Sequence, residues 1–225
     1  MQCKLWSISL DSLCLLILSC RDPDLPPSRR KFILQDSEAR LLLLSATTQS
    51  ADLDSDVPSV NLSEKLLRTL PTWRLETNVP QGADSCYQLY TSGTTGMPKG
   101  CEITHENAVQ AMMAFQRLFA GRWTGRSRWL QFASYWFDVS VLEHFWTWSV
   151  GMTVVGAPRD VVLEDIPGFI RRHGITHIDL TPSLACLVHP DDVPSLWDGV
   201  FITGGEALRQ VCADELEFFP CSRYH

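Results

Sequence analysis

Apolar and polar positions follow a regular pattern in the second half of the chain. Apolar runs predict strands at residues 129–133, 152–155, 175–180 and 200–203, and helical patterns cover 104–118, 139–148, 166–173 and 206–218. Pro167 lies in the first turn of the third helix and Gly174 directly follows its last turn, which favours those two ends. Strands that alternate with helices predict an α/β fold with a parallel sheet and right-handed crossovers.

The pattern before residue 90 is weaker. A helix is predicted at 29–34, a buried strand at 39–44 and a strand at 87–90. Between them, residues 45–84 form a connecting stretch rich in Ser, Asp and Pro, with one helix at 63–70 capped by Ser63. The apolar run at 13–18 favours a buried strand or helix over the core of a signal peptide, and it is too short to span a membrane.

A loop rich in glycine and hydroxyl groups follows the strand at 87–90. It consists of Thr91, Ser92, Gly93, Thr94, Thr95, Gly96, Met97, Pro98, Lys99 and Gly100, and we call it the Gly/Thr loop. Glycines allow the backbone to approach a ligand closely, free N–H groups bind anions, and Lys99 adds positive charge. The loop therefore predicts a phosphate site rather than a plain turn. It differs from a Walker P-loop, because Lys99 follows Pro98 and precedes Gly100.

Three further segments with chemical character also follow predicted strands. Asp138 opens the apolar helix at 139–148, where the simplest role for its carboxylate is to cap that helix. Asp179 lies near the end of the strand at 175–180, and a glycine pair, Gly204 and Gly205, follows the strand at 200–203. Ligands of parallel sheets bind beyond the carboxyl ends of strands. We therefore expect these segments and the Gly/Thr loop to share one edge of one sheet.

Composition and charge narrow the choice of function. The 225 residues, 45% hydrophobic and 20% charged, describe an ordinary globular chain, long enough for one domain. The net charge of −7, without a basic stripe, argues against nucleic acid and against an anionic membrane as partners. The eight cysteines form no C-x-x-C pair, so no metal site is predicted, and reduced thiols in a cytoplasmic protein are the simplest interpretation.

The Gly/Thr loop resembles the phosphate loop of the adenylate-forming (AMP-binding) superfamily, which comprises acyl-CoA synthetases, luciferases and the adenylation domains of nonribosomal peptide synthetases. Residues 103–107 resemble the helix start that follows this loop in the family. The resemblance implies the parallel-sheet βα layers of the family's large N-terminal subdomain, present here in part. It also implies a ligase of secondary metabolism that uses ATP and Mg²⁺ to activate a carboxylate as its adenylate.

The resemblance also implies roles for individual residues. The residues that it places against ATP are Thr91, Ser92, Gly93, Thr94, Thr95, Gly96, Lys99, Gly205, Glu206 and Ala207, with Lys99 also as the catalytic residue. The residues that it places against the substrate are Phe137, Asp138, Val139, Leu142, Asp179, Ile202 and Gly204. Because Asp138 would pair with an α-ammonium group, the chain looks most like a peptide-synthetase adenylation domain. Asp179 either bonds to the backbone of the turn at 180–183 or binds a basic or hydroxylated substrate side chain.

The resemblance begins near residue 22, which predicts an unmatched segment at 1–21 and a partial adenylation domain at 22–225. The family's Tyr-Gly-Pro-Thr-Glu motif, with its magnesium-binding glutamate, and its second lysine do not occur in this sequence. We therefore expect a truncated, inactive or partial domain that acts on an amino acid and works with a carrier-protein domain. The alternatives are a fragment of an acyl-CoA synthetase and a non-catalytic remnant that serves as an interaction module.

Overall fold

The computed structural model describes residues 5–9, 17–21, 25–45, 56–70, 80–91, 97–207 and 222–224. The chain forms two compact units, Gln2–Ala111 and Met112–His225. Within the described residues, no helix is long and apolar enough to cross a membrane.

The first unit is built on a mixed six-stranded sheet in the order β4-β3-β1-β2-β5-β6. Its strands are β1 (Leu5–Ser9), β2 (Ile17–Arg21), β3 (Leu41–Ser45), β4 (Ser59–Leu62), β5 (Ser85–Thr91) and β6 (Lys99–Thr104). The pairs β3–β4 and β2–β5 are parallel, whereas β1–β2, β1–β3 and β5–β6 are antiparallel. A small core contains Leu34, Ala39, Leu42 and Leu44.

In this part of the chain, side-chain caps mark the starts of two helices. Helices α1 (Pro27–Asp36), α2 (Glu64–Thr69) and α3 (His105–Leu118) confirm the helices predicted at 29–34, 63–70 and 104–118. Ser63 Oγ accepts a hydrogen bond from the Leu66 N–H at 3.1 Å, as expected for an N-cap. Thr104 Oγ1 accepts from the Asn107 N–H at 3.2 Å, while Asn107 Oδ1 accepts from the Thr104 N–H at 3.3 Å. This reciprocal pair fixes the start of α3.

The second unit is built on a parallel five-stranded sheet in the order β11-β10-β9-β7-β8. Its strands are β7 (Arg128–Gln131), β8 (Thr153–Gly156), β9 (His177–Leu180), β10 (Val200–Thr203) and β11 (Ser222–Tyr224). Its helices are α4 (Val139–Val141), a π-helical turn (Leu142–Trp146), α5 (Thr147–Ser149), α6 (Arg159–Glu164), α7 (Ile166–His173) and α8 (Pro182–Ala185). The parallel α/β prediction is therefore confirmed for this unit. The helix predicted at 206–218 lies mostly outside the described residues.

The two faces of this sheet are buried under different helices. One cluster includes Ile178, Leu180 and Phe201 together with side chains of α6 and α7. The other includes Trp129 and Ile202, which pack with Trp146 of the π-helical turn. Because side chains alternate along a strand, Gln131, Asp179 and Ile202 belong to the face that carries this second cluster.

The expectation of one shared sheet edge is wrong for the Gly/Thr loop. That loop joins β5 to β6, which pair antiparallel in the six-stranded sheet, so the chain turns back as a hairpin instead of crossing over through a helix. The other three segments follow β7, β9 and β10, which are parallel neighbours in the five-stranded sheet. Their carboxyl ends therefore lie at one edge, as predicted.

The expectation that all cysteines are reduced is also wrong. Cys86 and Cys101 are free, but Cys186 is disulfide-bonded. A disulfide depends on which distant segments the fold brings together, and cysteine spacing alone does not reveal that.

Candidate functional site

The described part of the Gly/Thr loop is the base of a hairpin. Thr91 ends β5 and lies directly opposite Lys99, which begins β6, and both side chains are exposed. Cross-strand neighbours of this kind lie side by side, so a hydroxyl and an ammonium group flank the loop. Lys99 forms no ion pair within the described residues. Ser92, Gly93, Thr94, Thr95 and Gly96 lie outside the described residues, so their predicted contacts with phosphate stay predictions.

Gly100 has a packing role at this hairpin. A Cβ atom there would lie 2.5 Å from Gln88 Nε2 and 3.2 Å from Tyr90 Cζ, so only glycine fits without a shift of these neighbours. The Tyr90 hydroxyl in turn donates a hydrogen bond to Asp36 Oδ2 at 2.7 Å. Gly100 therefore lets the tyrosine ring lie close against β6.

Asp138 caps a helix and still presents a carboxylate to solvent. Its Oδ1 accepts a hydrogen bond from the Val139 N–H at 2.9 Å, which supports the capping role predicted from the sequence. Its side chain is exposed, and it forms no ion pair among the described residues. The neighbouring Phe137 is also exposed. A positively charged ligand could therefore reach this carboxylate at the carboxyl edge of the parallel sheet.

Asp179 lies in β9 beside Ile202 of β10 on the same sheet face. Burial raises the pKa of its carboxyl, and the negative charges of Glu143 and Asp138 add to this rise, so that the pKa reaches about 7. Within the described residues, the carboxylate accepts no hydrogen bond from the turn at 180–183, so the first alternative left open by the sequence gains no support. Two predicted substrate residues, Asp138 and Asp179, are thus within electrostatic reach of one another.

The other predicted substrate and adenine residues differ in exposure. Leu142 and Ile202 are buried in the cluster around Trp146, whereas Val139 and Gly204 are half-buried. Gly205 has a φ of 85°, a conformation that favours glycine, and lies in the exposed turn with Glu206 and Ala207. Glu206 Oε2 accepts a hydrogen bond from Ser183 Oγ at 2.6 Å, which ties this turn to α8.

Sequence reasoning missed three residues that surround the segment before Asp138. These residues are Gln131, Glu143 and Arg159. Glu143 has no exposed surface, and burial raises its pKa to about 7, although hydrogen bonds from Ala133, Phe132 and Gln131 and the charge of Arg159 lower it. The sequence did contain a signal for Glu143, because a glutamate inside the apolar run at 139–148 must either face solvent or be buried with hydrogen-bond partners.

Comparison with known proteins identifies a family and relatives of this chain. A model of the AMP-binding enzyme family matches residues 15–223. Nonribosomal peptide synthetase 2 of Cochliobolus heterostrophus is 59% identical over 196 residues, which are 86% of this chain and 4% of that protein. The hydroxamate-type ferrichrome siderophore peptide synthetase of Schizosaccharomyces pombe is 44% identical over 198 residues, covering 84% of this chain and 4% of that protein. The chain thus spans only a small part of these curated relatives.

Solved structures with the same fold are adenylate-forming enzymes. The o-succinylbenzoate CoA synthetase of Bacillus subtilis, in complex with its acyl-adenylate intermediate, has a TM-score of 0.73 at 23% identity, covering 92% of this chain and 54% of that one. The N-terminal subdomain of NpsA from Klebsiella oxytoca has a TM-score of 0.67 at 20% identity, covering 86% and 48%. These matches confirm the predicted fold class. Together with the family match, they establish that this chain belongs to the AMP-binding enzyme family, with nonribosomal peptide synthetases among its relatives.

Proposed function

We propose that this chain is the amino-acid-binding part of an adenylation domain in a nonribosomal peptide synthetase. In such a domain ATP activates an amino acid as its aminoacyl-adenylate, and pyrophosphate leaves. The observation that carries the proposal is the exposed Asp138 carboxylate, which has no cationic partner among the described residues and lies at the carboxyl edge of the parallel sheet. An α-ammonium group is the natural ligand for such a carboxylate.

The substrate side chain is proposed to be polar. Asp179 offers a half-buried carboxyl on the same sheet face, where it can donate or accept a hydrogen bond depending on its protonation. A hydroxylated or cationic side chain would satisfy it, whereas an apolar one would leave it without a partner. The name of the fission-yeast relative, which refers to a hydroxamate-type siderophore, supports a polar substrate. Phe137, Val139, Leu142, Ile202 and Gly204 are proposed as the remaining walls of this pocket.

For ATP, the Gly/Thr loop is the proposed phosphate site. The exposed Lys99 and the hydroxyl of Thr91 flank its mouth, where the ammonium group would neutralise charge that builds on phosphoryl oxygens and the hydroxyl would donate a hydrogen bond to them. Gly205, Glu206 and Ala207 are proposed to contact the adenine ring. The described residues contain no group of three or more His, Cys, Asp or Glu side chains that could hold a metal ion, so we assign no residue to Mg²⁺.

The larger setting of the chain is part of the proposal. The relatives imply a carrier-protein domain as partner. The boundary between the unmatched segment at 1–21 and the adenylation domain at 22–225 stays a prediction. The 225 residues contain neither the magnesium-binding glutamate nor the second lysine of the family. We therefore propose that they bind substrate but do not catalyse ATP–pyrophosphate exchange alone, and robust exchange by the purified chain would contradict this.

The test is binding of non-hydrolysable aminoacyl-sulfamoyl adenosines to the 225-residue chain, measured by calorimetry. The proposal expects the ornithine and serine compounds to bind more tightly than the leucine compound, and Asp138→Asn to weaken them by about tenfold, as for loss of a charged hydrogen bond. Asp198→Asn is the matched control, because Asp198 is exposed and outside the site.

Other outcomes would favour the alternatives. Equal affinity for a desamino acyl analogue would favour a fragment of an acyl-CoA synthetase. No binding of any adenosine compound would favour a non-catalytic remnant. Preference for the leucine compound would refute the polar pocket while leaving the role of Asp138 intact.

A further inference from the structure

Glu143 is a buried carboxylate whose hydrogen bonds all go to one short segment. It lies on the π-helical turn, and one of its oxygens accepts from the Phe132 N–H at 3.0 Å and from the Ala133 N–H at 3.0 Å. The second oxygen lies 3.1 Å from the Ala133 N and 3.2 Å from the Gln131 Nε2 donor. These N–H groups follow the end of β7 at Gln131, and the Glu143 carboxylate supplies the acceptors that buried backbone donors need.

Other side chains hold the carbonyl groups of the same segment. Gln131 Nε2 donates to the Ala133 carbonyl at 2.6 Å, and the Tyr135 hydroxyl donates to Gln131 Oε1 at 2.5 Å. The Arg159 guanidinium donates to the Phe132 carbonyl at 3.0 Å and stacks 4.1 Å from the centroid of the Phe132 ring. The peptide groups of residues 132 and 133 are therefore fixed by side chains from three elements.

This fixed segment leads directly to Asp138. The turn is closed by the Phe137 N–H, which donates to the Ser134 carbonyl at 2.9 Å, and by Ser140 Oγ, which donates to the Phe137 carbonyl at 2.7 Å. Residues 134–138 therefore have one fixed end at the Glu143 carboxylate and the other at the start of α4. A shift of Phe132 and Ala133 would be carried along this short connection to the carboxylate of Asp138.

We propose that Glu143 is a positioning residue for recognition of the amino group of the substrate. By binding the N–H groups of Phe132 and Ala133, it sets the path of residues 132–138 and so the direction of the Asp138 carboxylate. The inference rests on the proposed function for its ligand, but its structural part concerns only residues 131–143 and Arg159. Glu143 does not touch the ligand; it acts through Asp138.

The test compares Glu143→Gln with Glu164→Gln in the full 225-residue chain. Glu164 is an exposed glutamate in α6 of the same unit and serves as the matched control. The amide of the first variant replaces one acceptor oxygen by a donor, which opposes the backbone N–H groups. We expect exchange of the Phe132 and Ala133 amides to accelerate by about tenfold or more, while the β9 amides keep their protection.

The second readout separates positioning from a general loss of structure. Glu143→Gln should weaken an aminoacyl-sulfamoyl adenosine by about fivefold and leave the desamino analogue unchanged, because only the former needs an aimed carboxylate. Unchanged amide exchange would overturn the inference, and so would an equal loss for both ligands. If the unsubstituted chain does not distinguish the two ligands, the proposed function fails, and the exchange result alone decides whether Glu143 sets the segment.

A second variant keeps the inference testable should Glu143→Gln not fold. Gln131→Met removes one donor to Glu143 and the bond to the Ala133 carbonyl while keeping the length of the side chain. Gln131→Met should accelerate amide exchange and reduce ligand selectivity, each by a smaller factor than Glu143→Gln. No change in either readout would overturn the inference.

Discussion

The substitution Asp179→Asn is expected to stabilise the protein, and to do so increasingly as the pH rises. Asp179 is half-buried in β9, and its pKa is raised from 3.8 to about 7, first by burial and then by the charges of Glu143 and Asp138. Asparagine has nearly the same shape but never carries the charge. The substitution therefore removes an electrostatic penalty and keeps the packing of the strand.

The size and sign of the effect follow from proton linkage. Below the unfolded pKa the carboxyl is protonated in both states, so it carries no penalty. Between about pH 4 and pH 7 the folded state holds a proton that the unfolded state releases, and stability falls as the pH rises. With 1.36 kcal/mol for each pKa unit, the penalty grows to about 4 kcal/mol by pH 8 as an upper limit.

The assay is urea unfolding of both proteins at several pH values between about 4 and 8, followed by fluorescence. The free energy of unfolding of Asp179→Asn minus that of the unsubstituted protein should rise through this range. Taking the difference cancels the titration of groups that do not interact with Asp179, whereas Glu143 and Asp138 remain coupled to it. Asp198→Asn changes an exposed aspartate, so its difference in free energy of unfolding from the unsubstituted protein should stay constant within about 0.5 kcal/mol across the pH range. A flat curve for Asp179→Asn would refute the claim that its carboxyl is held near pKa 7.

Two further predictions concern stability. Gly199→Ala should destabilise the protein by about 3 kcal/mol or more, because its Cβ would lie 1.6 Å from the Thr176 carbonyl oxygen. The control is Gly125→Ala, whose added Cβ would have no atom within 4 Å. Equal melting temperatures for the two variants would contradict this prediction. Burial lowers the pKa of His177 from 6.5 to about 4, so its contribution to stability falls as the pH drops through that range. The free energy of unfolding of His177→Phe minus that of the unsubstituted protein should therefore rise by up to about 3 kcal/mol between about pH 7 and pH 4, and a pH-independent difference in urea unfolding would contradict the assignment.

Local signals made much of the fold predictable. Ser63 and Thr104 marked helix starts, Gly174 with a φ of 58° marked a helix end, and alternation of strands with helices indicated the parallel sheet. Strand β6 was missed because Lys99–Thr104 lacks an apolar run and is largely exposed. Its pairing with β5 is a tertiary contact that the local sequence does not reveal. Because of this pairing, the Gly/Thr loop lies in a different sheet from the strand that precedes Asp138.

The site was only partly predictable. Asp138 and Asp179 could be chosen because each follows a strand of the parallel sheet, and resemblance to a family gave them roles. Glu143 could not be assigned from its type, because a glutamate in a helix is usually solvated. Its role depends on the backbone N–H groups that follow β7, because only the folded chain brings them within 3.0 Å of the Glu143 carboxylate.

The π-helical turn at Leu142–Trp146 has a consequence for how this region can change in length. A π turn accommodates one more residue than an α turn, and one residue corresponds to about 100° of rotation around a helix axis. Deleting one residue here would restore regular α-helix but rotate Asp138 away from its present direction relative to Trp146, which is fully buried. The segment can therefore lose a residue without losing its helix, but it cannot then keep both its anchor in the core and its carboxylate at the sheet edge.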